Sequence, residues 1–358
     1  RILHKDFLQY TPYHTFSYVV KFLQEAALDP KVKHIYITIY RLSKISNVAN
    51  ALINAAKSGK KVTVQIELQA RFDERANIRY AEQMKAEGVQ LVFGITGLKV
   101  HSKVCVVERL ENKKIKRYGF ISTGNFNEST ARIYTDYTLF TANQSILKEV
   151  ANVFQFFKTP YKNYKYKHLI VSPHSTEKEF KKLIQQEVDN ASQGKPASIR
   201  IKLNNLTSYK MIEALYVASQ AGVKIQMIVR GVCCLIPKVK GMSENIEVIS
   251  VVDKYLEHTR LLIFENNGNP QVFISSADWM TRNIENRVEV SCPIYDASCK
   301  QELIDTFSVC WSETVKARQI NTGNTNQYRA QQHSEVRSQF ATYDYYQKRM
   351  LHSNPDAS

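Results

Sequence analysis

A chain of 358 residues exceeds the usual size of one domain and points to about two. Hydrophobic residues make up 44% and charged residues 23%, a balance that can bury real cores and excludes a disordered or fibrous class. Lys plus Arg number 49 against 33 Asp plus Glu, a formal charge of +16. The partners this favours are polyanions, whether nucleic acid, anionic lipid or polyphosphate, and charge alone does not choose among them.

No apolar run approaches the roughly 18 to 20 residues that cross a bilayer, and the first thirty residues lack a signal-peptide core, so a soluble cytosolic protein is the expectation. Six cysteines (Cys105, Cys233, Cys234, Cys292, Cys299, Cys310) form no CxxC pair and no zinc-spaced cluster, and read as reduced small hydrophobes. The chain opens at Arg1 rather than Met, which suggests a fragment or processed product.

In chain order, a strand over Ile35 to Tyr40 leads into a helical run from Ala51, stopped by Gly59, and then an alternating strand over Val62 to Ile66. The same order recurs as Ile199 to Leu203, Ala214 to Gly222 and Val223 to Val229, at a constant offset of 163 (214 − 51 and 222 − 59). Such βαβ units predict a mostly parallel sheet flanked by helices in each half. A Pro-started basic and aromatic stretch, Thr159 to His168, reads as the linker, giving domains 1–165 and 166–358. Asn321 to Asn326 reads as a loop, Gln332 to Met350 as a helix and Ser353 to Ser358 as a frayed end.

Each copy also carries His-x-(Lys/Arg)-x4-Glu, as His101, Lys103 and Glu108 and again as His258, Arg260 and Glu265. A polar turn and a return strand follow each, which predicts a β-hairpin ending in Ser122-Thr123-Gly124-Asn125 or Ser275-Ser276-Ala277-Asp278. Hairpins centred on Lys113 and Gly268 place His101 opposite Asn125 (101 + 125 = 2 × 113) and His258 opposite Asp278 (258 + 278 = 2 × 268). On a strand, residues i and i+2 share a face, so each histidine stands beside a fixed cation. The imidazole can attack phosphorus or pass a proton while the cation neutralises phosphate oxygens. His101, facing neutral Asn125 and crowded by Lys103, is expected to stay neutral, whereas the Asp278 carboxylate favours a protonated His258 suited to general acid work. The two histidines are expected to meet at one cleft.

The paired motifs resemble the phospholipase D superfamily, with Glu108 and Glu265 standing where that family has Asp, Arg260 for the second Lys and Asp278 for the second Asn. A closer resemblance covers nearly the whole chain. Tyr40-Arg41, Glu67 to Glu74, Gly97 to Lys103, Ser122 to Glu128, Leu203 to Leu206 and Ser275 to Asn283 resemble the two C-terminal domains of phosphohistidine-forming polyphosphate kinases. The resemblance implies two tandem phospholipase D-like α/β domains and reversible transfer of the terminal phosphate of ATP to inorganic polyphosphate, with magnesium. It implies His101 as the phosphorylated nucleophile and His258 as proton donor or nucleotide contact. It also implies Tyr134 and Arg230 as nucleotide contacts, and Arg41 and Arg71 at the magnesium–phosphate site. Arginine has no lone pair for a metal, so Arg41 and Arg71 would hold the phosphates that carry the ion. Lys103 joins His101 and His258 as an expected catalytic residue, Arg260, Arg287 and Asn125 join the expected ATP-binding set, and Arg41, Arg71, Lys103, Arg230, Arg260 and Arg287 supply fixed cations for several phosphates.

The partners so implied are ATP or ADP and polyphosphate, with a homo-oligomer in the full-length protein, no specific nucleic acid, no transmembrane segment and a cytoplasmic place that can be peripheral to the membrane. Two other readings stay open on the residues alone. One is a phosphodiesterase or nuclease of the phospholipase D class that passes phosphate to water or alcohol. The other is a non-enzymatic polyanion-binding module, in which salt-sensitive binding would survive loss of both histidines.

Overall fold

The computed structural model describes residues 2–68, 74–323, 325–329 and 335–353 and divides into two compact units. The first unit comprises residues 1–176, 274–277 and 281–293, and the second residues 177–273, 278–280 and 294–358.

In chain order the first unit runs β1 (Phe7–Thr11), α1 (Ser17–Leu28), β2 (Val32–Ile39), α2 (Asn47–Lys57), β3 (Lys61–Ile66), α3 (Glu74–Ala86), β4 (Gln90–Phe93) and β5 (Lys99–Val100). It continues through β6 (Lys103–Glu111), β7 (Lys114–Ser122), β8 (Tyr134–Thr141), α4 (Gln144–Lys158) and β9 (Ile170–Ser172). The repeat reading holds here. Ser46 caps α2 by accepting from the Ala49 amide, Val48, Leu52 and Ala55 turn inward, and Gly59 at φ 78° ends the helix where a side chain would be strained. β2 then pairs in parallel with β3, and β3 with β4.

The sheet is mixed, with order β1-β8-β7-β6-β2-β3-β4, but its balance differs from the expected one. Parallel pairing is confined to β2–β3–β4, and every other pair along that path is antiparallel. The hairpin and the added N-terminal strand outnumber the βαβ crossovers.

The second unit opens with α5 (Thr176–Ser192), β10 (Ser198–Leu203), α6 (Tyr209–Gln220), β11 (Lys224–Val229), β12 (Ile246–Val251), β13 (Leu256–Glu257), β14 (Leu261–Phe264) and β15 (Gln271–Ser275). Next come α7 (Thr281–Glu285) and β16 (Arg287–Pro293), which belong to the first unit, and then α8 (Ala297–Trp311), β17 (Ala317–Ile320) and α9 (Ser338–Ser353). β10, β11 and β12 are parallel, with β14 and β17 antiparallel at either side. The helix expected from Gln332 begins instead at Ser338, with residues 330–334 outside the described ones; Ser338 donates from its amide and hydroxyl to the buried Glu313 carboxylate. No described helix is long and apolar enough to cross a membrane.

Candidate active site

His101 sits in the short gap between β5 and β6. β5 pairs in parallel with β16, Lys99 facing Arg287 and Val100 facing Val288, and the amides of both His101 and Ser102 donate to the Val288 carbonyl at 2.9 Å. That register delivers the next residue of β16 to the imidazole. His101 Nδ1 lies 3.0 Å from each carboxylate oxygen of Glu289, whose side chain is 1% exposed against 12% for the histidine. Ser276 Oγ donates to Glu289 Oε2, and Asn283 Nδ2 donates to Oε1 at 2.7 Å.

The expected pairing with Asn125 is corrected. The β6–β7 ladder joins Lys103 to Ser122 and Glu111 to Lys114, so partners sum to 225, not 226, because the turn takes two residues of positive φ, Asn112 and Lys113. The ladder also begins at Lys103, leaving His101 outside it. Asn125 keeps a buried Oδ1 without a hydrogen-bond partner. Lys103, 2% exposed, donates to the carbonyl of His101 itself and lies 5.5 Å over the Tyr40 ring. The same Tyr40 ring meets His101 edge-on at 5.0 Å, and the Arg41 guanidinium stands 5.7 Å over it.

Burial pulls the His101 pKa down to about 3; Glu289 pulls it up, and Lys103 and Arg287 add to the fall. Neutrality was expected for want of a nearby carboxylate; here it arises from burial despite one. Burial alone would raise Glu289, but His101, Lys103 and the Ser276 hydroxyl together hold it below the usual range. A neutral imidazole whose Nδ1–H is tied to a carboxylate presents the Nε2 lone pair as its nucleophile.

Beside this pair, a cavity of about 560 Å³ is lined by Glu67, Gly97, Lys99, Arg282, Asn286 and Arg287 among others. Three cations against one carboxylate suit an anionic ligand. Tyr134 opens β8, half-buried, and Arg71 lies outside the described residues.

In the second unit Arg260, 4% exposed, joins His258 and Asp278. Its Nε and Nη2 reach Asp278 at 3.3 and 3.2 Å, while Nη1 stands 3.0 Å from His258 Nε2. Asp278 also accepts from the Asn204 amide at 2.9 Å, and burial, which would raise its pKa, is outweighed by Arg260 and that amide, which hold the carboxyl well below the usual range. Arg230 donates to Asn204 Oδ1 at 2.7 Å and to the Glu257 carbonyl at 2.9 Å. The motif glutamates belong to neither cluster. Glu108 pairs with Arg117 at 2.6 Å, and Glu265 with Arg200 at 3.4 Å.

Sequence reasoning missed Glu289. The signal was a lone acid in an apolar strand, Arg287-Val288-Glu289-Val290, which repeats Tyr134-Thr135-Asp136-Tyr137 at the offset that relates Asn125 to Asp278 (289 − 136 = 278 − 125 = 153).

Profiles described as Polyphosphate kinase C-terminal domain 1 and Polyphosphate kinase C-terminal domain 2 match residues 1–163 and 169–339. The chain belongs to the polyphosphate kinase family. A polyphosphate kinase of Vibrio vulnificus is 48% identical over 345 residues, covering 96% of this chain and 49% of that protein. The crystal structure of polyphosphate kinase from Porphyromonas gingivalis superposes with a TM-score of 0.91 at 40% identity, covering 97% of this chain and 53% of that one. A phosphatidylserine synthase of Haemophilus influenzae, 12% identical, shares the fold at a TM-score of 0.59, covering 96% of this chain and 94% of its own. The tandem α/β fold class expected from the motifs is therefore present, and the chain spans about half the length of the polyphosphate kinases it matches.

Proposed function

We propose that the protein transfers the terminal phosphate of ATP reversibly to inorganic polyphosphate through a phosphohistidine on His101. The observation that carries this reading is the His101–Glu289 pair, which leaves Nε2 as the free lone pair of a neutral imidazole. In the forward step Nε2 forms a bond to the γ-phosphorus, the bridging P–O bond breaks, and its electrons leave on ADP. The polyphosphate terminus then takes the phosphoryl group from Nε2. Little covalent work falls to the protein, so positioning and charge dominate. Lys103 and Arg287 border the imidazole, and Lys99, Arg282 and Arg287 line a cavity that suits a uniform row of phosphates.

His258, backed by Arg260, is assigned the proton donor or nucleotide contact, with Tyr134, Arg230 and Asn125 toward the nucleotide. The described groups around His101 are cations and an engaged carboxylate, a donor set that fits phosphate oxygens better than a metal cage. Magnesium fits as an ion carried by the phosphates, with Arg41 and Arg71 holding their oxygens. Once bound, it neutralises charge that develops between the β- and γ-phosphates. A cytoplasmic homo-oligomer completes the proposal.

Incubation of the complete protein with γ-labelled ATP and magnesium tests it. The expected result is an acid-labile, alkali-stable label on His101 together with long polyphosphate. Release of nucleotides from DNA or headgroups from lipid, with no phosphoenzyme, would overturn it in favour of a phosphodiesterase.

A further inference from the structure

The carboxylate that holds His101 is itself held by neutral donors. Ser276 and Asn283 are 0% and 1% exposed, and each engages a different oxygen of Glu289. Ser276 Oγ accepts from the Val290 amide at 3.1 Å, which leaves its own proton for Glu289. Asn283 comes from α7, and Ser276 from the residue after β15, so two separate segments fix the carboxylate. Arg287 stays 4.0 Å away.

The chemistry of the donors matters. A guanidinium in direct contact would spend the charge of Glu289 on itself, as Arg260 does with Asp278. Neutral donors orient the carboxylate and leave its charge for the imidazole. That charge has two uses. Before transfer it fixes the Nδ1–H tautomer, so Nε2 holds the lone pair. After transfer, the ring bears a phosphoryl group on Nε2 and a proton on Nδ1, hence a positive charge that Glu289 stabilises in a buried site.

We propose that Ser276 and Asn283 are positioning residues that hold Glu289 ionised and aimed at His101 Nδ1, and so set the rate at which His101 takes up and releases a phosphoryl group. This deepens the proposed function and rests on His101 being the nucleophile.

The test is single-turnover phosphoenzyme formation from labelled ATP in the complete protein, with Asn283→Asp and Ser276→Ala compared with the unsubstituted protein. Asn283→Asp keeps the shape but replaces an amide donor with a second carboxylate facing Glu289. The expected result is a maximal rate slowed on the order of 10- to 100-fold in each variant, with the ATP concentration at half-maximal rate changed by less than about twofold. The 15N shifts of the His101 ring read the tautomer directly: Nδ1–H alone in the unsubstituted protein, a mixture of tautomers in Ser276→Ala. Rates within about twofold of the unsubstituted protein, or slowing with an unchanged tautomer, would overturn the proposal. Absence of label on His101 in the unsubstituted protein would instead strike the proposed function, so the two failures are distinguishable.

Discussion

His101 Nδ1 and the Glu289 carboxylate lie 3.0 Å apart although 188 positions separate them in the chain. Glu289 belongs to the second copy of the repeat, yet its strand packs in the first unit. The imidazole of one copy is thus oriented by a residue that the other copy encodes. Glu289→Gln keeps the size of the side chain and removes its charge, so the Nδ1–H tautomer is no longer enforced. Phosphoenzyme formation is expected to fall at least about 100-fold, with His101→Ala abolishing it. Quantitative labelling of Glu289→Gln at the normal rate would refute the orienting role.

The pH dependence follows from the fall of His101 to about 3. From pH 8 down to 5 the folded ring stays neutral, so the pH profile of phosphoenzyme formation is expected to show no acid limb with a midpoint near 6.5 from this imidazole. The same shift has a stability side. The unfolded chain binds a proton near pH 6.5 while the folded one does not, so stability is lost as pH falls below about 6.5, by up to about 1.4 kcal/mol per pH unit per group. His34, whose pKa is also lowered to about 3 by burial and then by Lys61 and Lys158, behaves alike. His34→Gln, able to keep the bond to Thr63 Oγ1, is expected to flatten the loss of denaturation midpoint between pH 7 and 5. An unchanged slope would contradict this.

Glu108 closes the sequence motif but lies five residues beyond Lys103 on β6, about 17 Å along the strand, in a partly buried pair with Arg117. Glu108→Gln is expected to leave phosphoenzyme formation within about twofold of normal and to cost roughly 1 kcal/mol of stability. Loss of labelling in a folded Glu108→Gln protein would show that the motif acid serves the chemistry.

The repeat and its histidines were legible because helix, glycine stop and alternating strand are local patterns, and the 163-residue offset exposed the duplication. The site carboxylate was not, since Glu289 reaches His101 only through the β5–β16 pairing, and nothing near His101 in sequence encodes that register. The hairpin reading erred by a single residue. That error suffices to misplace every partner, because side chains alternate along a strand.

Asp278 supplies the last prediction. Its carboxylate and the Arg260 guanidinium are 7% and 5% exposed, and the pair is completed by the Asn204 amide. A buried pair gains little over an apolar replacement, but breaking one leaves an uncompensated charge. Asp278→Asn is therefore expected to cost about 3–5 kcal/mol, read as faster hydrogen exchange in β10 and β14, and to disturb His258 through Arg260 Nη1. Replacing both partners together, Asp278→Leu with Arg260→Met, should recover much of the stability but not the activity. The folded carboxyl titrates below its unfolded value, so its contribution is fully present above about pH 4 and is lost as pH falls toward the folded value. An Asp278→Asn protein as protected against exchange as the unsubstituted one would show that Arg260 finds its counter-charge elsewhere.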